Sequence, residues 1–329
     1  MLNWQQVFDG EIMEKRLHIL SGSHSIDLVQ KVAKRLKSPL HPLKMERFAN
    51  GEIKYQLEES VRGGNVFVFQ THSQPVNDAI VEQAIIIDAA KRASAKNITA
   101  VCPYLGYSRQ DRKAYGREPI TARLVIDILA MAGADRIVAV NLHSGQTQGF
   151  FNGPFDHLTA LPVLAKYLKK KFNGGAVVVS PDSGRVKLAD RYAKQIGADL
   201  AIVHKRRAET NKAEALDVIG EVAGRDCIIV DDMIDTGGTI CAAADLLKRR
   251  GARSVSAAAS HGLFSPPAQQ SLAASAIDSI VVSDTVPLSI KLSKPKIEVV
   301  SVAALLAAAI KAIHEESSVS AIFDGSNQI

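Results

Sequence analysis

Short runs of β-branched and other apolar residues alternate along this chain with longer stretches whose apolar positions recur at helical spacing. The runs Asn65–Gln70, Ile98–Tyr104, Arg136–Leu142, Ala176–Ser180, Leu200–His204, Cys227–Val230, Ser254–Ala259, Ser279–Ser283 and Glu298–Val302 predict strands. Most are almost uninterruptedly apolar, which implies cover on both faces. Between them, residues 77–96 carry Ile80, Val81, Ala84, Ile85 and Ile87 at helical spacing. Further helices are predicted over 120–132, with Gly133 just past the end, and over 240–250. Strands alternating with amphipathic helices predict an α/β fold built on mainly parallel sheets flanked by helices. The pattern is broken by Gly, Pro and Asn in "FFNGPFDHLTALP", near 150–162, so two domains are expected, 1–158 and 159–329. A chain of 329 residues exceeds the usual size of one domain.

Composition narrows the function classes. The apolar stretch Val302–Ile310 is too short to cross a bilayer and continues into polar residues, so it reads as a packed helix. The N-terminus has no apolar core of a secretory signal. Cys102, Cys227 and Cys241 lie far apart with no CxxC pair, which predicts buried thiols of a cytoplasmic protein, not disulfides or zinc ligands. The formal charge is +6, yet aromatics are only 5% and no basic-aromatic stripe appears, which argues against nucleic acid. The cations gather in short loops, "RQDRK" at 109–113 and "HKRR" at 204–207, a pattern suited to a small polyanion.

The stretch "IIVDDMIDTGGTI", 228–240, carries the most chemistry. Here an apolar strand gives way to a loop that enters a helix. Thr236, Gly237, Gly238 and Thr239 can form a nest of backbone N–H groups at the helix N-terminus, which receives phosphate without lysine. Asp231 and Asp232, flush with the strand end, can accept hydrogen bonds from vicinal hydroxyls, and Asp235 adds a third carboxylate. A plain helix cap explains the glycines but not two adjacent carboxylates at a buried strand, where an unpaired charge is costly. Amides for a phosphate beside carboxylates for hydroxyls point to a sugar phosphate.

This loop resembles the phosphoribosyl-diphosphate-binding motif of the type I phosphoribosyltransferase fold. The segments "RFANGEIKYQLEESVRGGNVFVFQ" (47–70), "ASAKNITAVCPYLGYSRQDRK" (93–113), "NLHSGQTQGFF" (141–151), "VVVSPDSG" (177–184), "HKRR" and "SVSAIF" (318–323) narrow it further. In this order, from about 17 to 323, they resemble the ribose-phosphate diphosphokinases of the phosphate-dependent class. The resemblance implies two tandem phosphoribosyltransferase-like domains, the first with the ATP motifs and regulatory contacts and the second with the sugar and catalytic loops. It implies transfer of the β,γ-diphosphoryl group of ATP to the anomeric hydroxyl of ribose 5-phosphate, with AMP as the other product.

The resemblance also implies roles. Lys205 is the catalytic residue and Arg207 binds the substrate phosphates. Phe48, Asn50, Gly51, Glu52, Arg109 and Gln110 bind ATP, with Phe48 stacking on adenine. His143 and Asp182 belong to a Mg2+ site, although magnesium prefers oxygen ligands and keeps waters. Ser60, Arg62, Ser94, Ser318, Val319 and Ser320 bind activating inorganic phosphate or inhibitory ADP. A homo-oligomer, a hexamer, is implied, with no membrane or nucleic-acid partner. Asn141 and Asn152 depart from the family, which often has aspartate at both, while Asp156 remains; phosphates and water would have to complete the metal's shell. The stretch after Asp182 carries one glycine where a pair is frequent. Two readings compete with it: a base-dependent phosphoribosyltransferase, which has no need of "FANGE" or "SRQDRK", and a non-catalytic paralogue, which would be expected to have lost its catalytic charges.

Overall fold

The structure is a computed structural model and describes residues 16–173, 175–206 and 215–323. In chain order it contains β1 (Leu17–Ser21), α1 (Ile26–Leu36), β2 (Lys44–Arg47), β3 (Ile53–Gln56), β4 (Asn65–Phe69), α2 (Val76–Arg92), β5 (Asn97–Cys102), α3 (Thr121–Ala132), β6 (Arg136–Val140) and β7 (Phe155–Leu158). There follow α4 (Leu161–Phe172), β8 (Ala176–Ser180), α5 (Val186–Ile196), β9 (Asp199–Arg206), β10 (Ala215–Ile219), β11 (Asp226–Ile234) and α6 (Gly238–Arg249). The described chain closes with β12 (Ser254–Gly262), α7 (Ala268–Ala273), β13 (Ser279–Ser283), β14 (Lys296–Val300) and α8 (Ala303–His314).

These elements form two compact units. Among the described residues, one comprises 16–139, 144–156 and 303–323, and the other 140–143 and 157–302. The division therefore differs from the single cut at 158/159 expected from the sequence. Helix α8 packs on α1 of the first unit, and each helix buries an apolar set, Leu305, Leu306 and Ile310 on α8 and Leu28, Val29 and Val32 on α1.

In the first unit the sheet order is β1-β4-β5-β6-β7, with β1/β4, β4/β5 and β5/β6 parallel. Phe67, Phe69, Ile86, Ile87 and Leu129 are fully buried in its core. Burying each such side chain is worth about 1.5–3 kcal/mol. The strands β2 and β3 form a separate antiparallel hairpin.

In the second unit the order is β10-β9-β8-β11-β12-β13-β14; only β10 runs antiparallel to its neighbour. Every residue of β8 is buried, as its unbroken apolar sequence demands. From β8 the chain passes through α5 to β9 on one side, whereas from β11 it passes through α6 to β12 on the other. The connections thus diverge between β8 and β11, and the crevice beyond the carboxyl ends of those two strands is where open α/β sheets bind ligands.

Three local expectations are corrected. Strand β11 does not stop at Val230 but pairs with β12 through Ile234, so Asp231 and Asp232 lie within the strand. Strand β9 runs to Arg206, so the Lys205 backbone sits in an antiparallel ladder opposite Leu216 and not in a loop. Strand β6 ends at Val140, and His143 lies in the following loop. In the first two cases the ladder continues through charged residues that hide a strand from an apolar pattern. Arg207 lies outside the described residues.

Candidate functional site

The loops at the switch point are tied together by charge. After β8, the Asp182 carboxylate accepts hydrogen bonds from the backbone N–H groups of Gly184 (2.8 Å) and Arg185 (3.1 Å). It thereby caps the short turn Ser183–Arg185 that leads into α5. This turn aims Arg185 at β11. Its Nε lies 2.9 Å from Asp231 Oδ1 and its Nη2 lies 2.9 Å from Asp232 Oδ1. The other Asp232 oxygen, Oδ2, stands 2.7 Å from His143 Nδ1. Arg185 Nη2 is also 2.9 Å from that nitrogen. An ionised carboxylate only accepts, so the Nδ1 proton faces Asp232 and Arg185 is held chiefly by the two carboxylates.

Burial makes these contacts matter. The Asp232 side chain is 6% exposed and that of Asp231 15%. Burial would raise the Asp232 pKa, but the His143 hydrogen bond and the Arg185 charge outweigh it and hold that carboxyl well below its usual range. Asp231 moves the other way: burial and the adjacent Asp232 charge push it up, against the pull of Arg185. The two share a guanidinium but differ in environment, with Asp232 anchored inside the fold and Asp231 closer to solvent.

Beyond β11, Gly237 takes a left-handed φ of 81° and caps α6. A side chain there would be strained, and a β-carbon would come within 3.3 Å of Leu272. Thr236, Gly238 and Thr239 are exposed at this helix N-terminus and Asp235 is half-buried. Helix α6 buries Ile240, Ala244 and Leu247 against the sheet, which fixes the direction of its first N–H groups. The acidic pair and an anion-accepting helix start are therefore consecutive parts of one strand–loop–helix.

For Mg2+, His143 and Asp182 make an incomplete set. Part of each side chain is already engaged, and among the described residues no three His, Cys, Asp or Glu side chains gather as metal ligands. The pair suits an ion that brings most of its oxygen ligands with it. Asn141 does not bear on this site. It is buried, its Oδ1 accepts the Ala160 N–H at 2.7 Å, and its backbone carbonyl accepts a bond from His261. Asp156 pairs with Arg136, and Asn152 is exposed.

In the first unit, Phe48, Gly51 and Glu52 line an open groove of about 410 Å³ with Arg47, Asn77 and Asp78. Asn50 Oδ1 accepts the Glu52 N–H, which shapes the hairpin tip, and Phe48 is 54% exposed, so its ring is available for stacking. Arg109 and Gln110 are exposed outside that groove, and Gln110 is tied to Thr121 at the start of α3. Ser60 and Arg62 share a tight turn, and Gly63 N–H donates to the Ser94 carbonyl. Asn65 contacts His314 at the end of α8, four residues before Ser318; Ser318 and Ser320 are hydrogen-bonded and exposed, while Val319 is half-buried. Of the thiols, Cys102 and Cys227 are buried as expected and Cys241 only partly.

Sequence reasoning missed Arg185. The available signal was a cation at the start of a helix, where the dipole disfavours positive charge and another cause is needed.

Comparisons with known proteins agree in direction. Residues 17–133 match the family model described as the N-terminal domain of ribose phosphate pyrophosphokinase, and residues 207–324 match the phosphoribosyl synthetase-associated domain. The chain is 49% identical over 314 residues to a ribose-phosphate pyrophosphokinase of Streptomyces coelicolor, covering 94% of this chain and 97% of the other. It is 48% identical over 309 residues to one of Nostoc, with 94% of each chain covered. Among solved structures it is similar to a phosphoribosylpyrophosphate synthetase from Mycobacterium smegmatis: TM-score 0.86, 46% identity, 92% of this chain and 100% of that one.

Proposed function

The chain belongs to the ribose-phosphate pyrophosphokinase family, and we propose that it transfers the β,γ-diphosphoryl group of ATP to the anomeric hydroxyl of D-ribose 5-phosphate, giving 5-phosphoribosyl 1-diphosphate and AMP. The observation that carries the sugar assignment is the single strand–loop–helix in which an acidic pair precedes an anion-accepting helix start.

The 5-phosphate sits on the N–H groups of 236–239, and the ribose hydroxyls donate to Asp231. The sugar's anomeric hydroxyl attacks the β-phosphorus of ATP and gives up its proton to water; the bond from that phosphorus to the α,β-bridging oxygen breaks and AMP departs with that oxygen. Negative charge gathers on the phosphoryl oxygens, so cations supply most of the stabilisation. Lys205 is the catalytic cation; Arg207 grips phosphate, and a guanidinium can do so with two parallel bonds. Phe48, Asn50, Gly51 and Glu52 at the hairpin tip, with Arg109 and Gln110, hold ATP.

Mg2+, carried in with the phosphates, would neutralise their charge; His143 and Asp182 would face it. The proposal extends to activation by inorganic phosphate and inhibition by ADP at Ser60, Arg62, Ser94 and 318–320. The Asn65–His314 contact supports it by bringing the two segments' anchors together in one unit. It extends also to a homohexamer in the cytoplasm. Exposed Leu124 and Met131 on α3 support assembly, since apolar side chains of that size on one helix suit an interface.

The test is to mix ribose 5-phosphate, ATP and Mg2+ without any nucleobase and separate the nucleotides. AMP should appear in step with sugar consumption. Release of ADP, or a requirement for a base, would overturn the assignment.

A further inference from the structure

Two adjacent carboxylates at the mouth of a crevice are a natural seat for a hard divalent ion, which takes oxygen ligands from one or two acidic side chains. Here that seat is filled from within. Arg185 places one nitrogen on each carboxylate, 2.9 Å from Asp231 Oδ1 and 2.9 Å from Asp232 Oδ1. The backbone that presents it is fixed by the Asp182 cap, whose oxygen accepts the Arg185 N–H itself. His143 Nδ1 donates to the other Asp232 oxygen, Oδ2, at 2.7 Å. Four groups from three separate loops and strands thus converge on keeping a guanidinium over the pair.

We infer that Arg185 is a specificity residue: an internal cation that keeps free divalent ions off Asp231 and Asp232 and so reserves the pair for hydroxyl ligands. A guanidinium and a divalent ion differ in what they leave behind. Arg185 takes one oxygen of each carboxylate through hydrogen bonds, and a carboxylate has capacity to accept more from a sugar. A divalent ion would instead draw carboxylate oxygens into its own shell and add two positive charges where the polyol is to bind. The guanidinium is also permanently charged, so the exclusion does not lapse as pH rises. The inference rests on the sugar-facing role of the pair, but its test is read on ligand-free protein without turnover. It therefore holds or fails separately from that role.

The experiment is a Mn2+ titration of the ligand-free protein, with unbound Mn2+ followed by electron paramagnetic resonance. Arg185→Gly should bind one Mn2+ more than the unsubstituted protein, or bind it at least about ten-fold more tightly, the scale set by removing a unit charge a few ångström away. Arg185→Lys should remain closed to the ion. Adding Asp232→Asn to Arg185→Gly should abolish the gain. Identical isotherms for Arg185→Gly and the unsubstituted protein would overturn the inference, as would a gain that survives Asp232→Asn. Arg185→Gln, which keeps side-chain bulk, provides the same comparison if the glycine variant fails to fold.

Discussion

Replacing Asp232 by Asn is expected to loosen the second unit, whereas replacing Asp231 by Asn is expected to cost about half as much stability and chiefly to weaken sugar binding. Asp232 is 6% exposed and accepts two charge-assisted bonds, from His143 at 2.7 Å and Arg185 at 2.9 Å, besides the Met233 N–H. Hydrogen bonds to charged groups are worth about 1.5–3 kcal/mol each. Asn keeps one accepting oxygen, and Arg185 retains Asp231, so the net loss is about 2 kcal/mol. With a urea dependence of about 2–3 kcal/mol per molar, the midpoint should fall by roughly 0.7–1 M. Asp231 is more exposed, and an Asn there can still accept from Arg185 and from the Asp232 N–H, so about half that loss is expected. Its larger effect is on the ligand. Losing one charged acceptor for a sugar hydroxyl should raise KM for ribose 5-phosphate about ten-fold or more. Urea unfolding followed by circular dichroism, with KM measured on the same samples, separates the two. Equal destabilisation by both substitutions, or an unchanged KM in Asp231→Asn, would refute this division of labour.

Lys205→Ala should lower turnover about 10²-fold or more, the scale of losing a transition-state donor, and intact turnover would remove that residue from its role. Arg62→Ala should flatten both the phosphate-activation and the ADP-inhibition curves; unchanged curves would dismiss the regulatory assignment. A third expectation concerns pH. His72 is buried, donates from Nε2 to Gln83 and accepts the Gly106 N–H at Nδ1, and burial pulls its pKa from 6.5 down to about 4. The unfolded chain takes up this proton below pH 6.5 while the folded chain refuses it until about pH 4. Stability is therefore lost as pH falls through that window, by up to about 3 kcal/mol from this residue. His72→Gln should have a shallower acid limb in its stability–pH profile, and an identical slope would contradict the assignment.

Strands β8 and β13 were legible to the residue, because continuous apolar runs bounded by polar residues admit little else. The ends of β9 and β11 were not, since Lys205, Arg206, Asp231 and Asp232 belong to ladders but look like loops. The hairpin of β2 and β3 was invisible for a related reason: "KMER" and "IKYQ" are largely solvent-facing and carry no apolar run. The helix of α8 was readable, but a local pattern says what a helix must bury and not against what, so its place on α1 was missed. The glycine loop and acidic pair stood out because they break local rules of burial and conformation. Arg185 did not, because its role depends on three segments meeting in space.

The central claim is that a diphosphoryl group moves as one piece. ATP carrying its label on the β-phosphorus, incubated with ribose 5-phosphate and Mg2+, tests it most directly. The label should leave entirely in 5-phosphoribosyl 1-diphosphate, with unlabelled AMP released in equal amount. Label retained in a nucleotide product such as ADP would contradict the account.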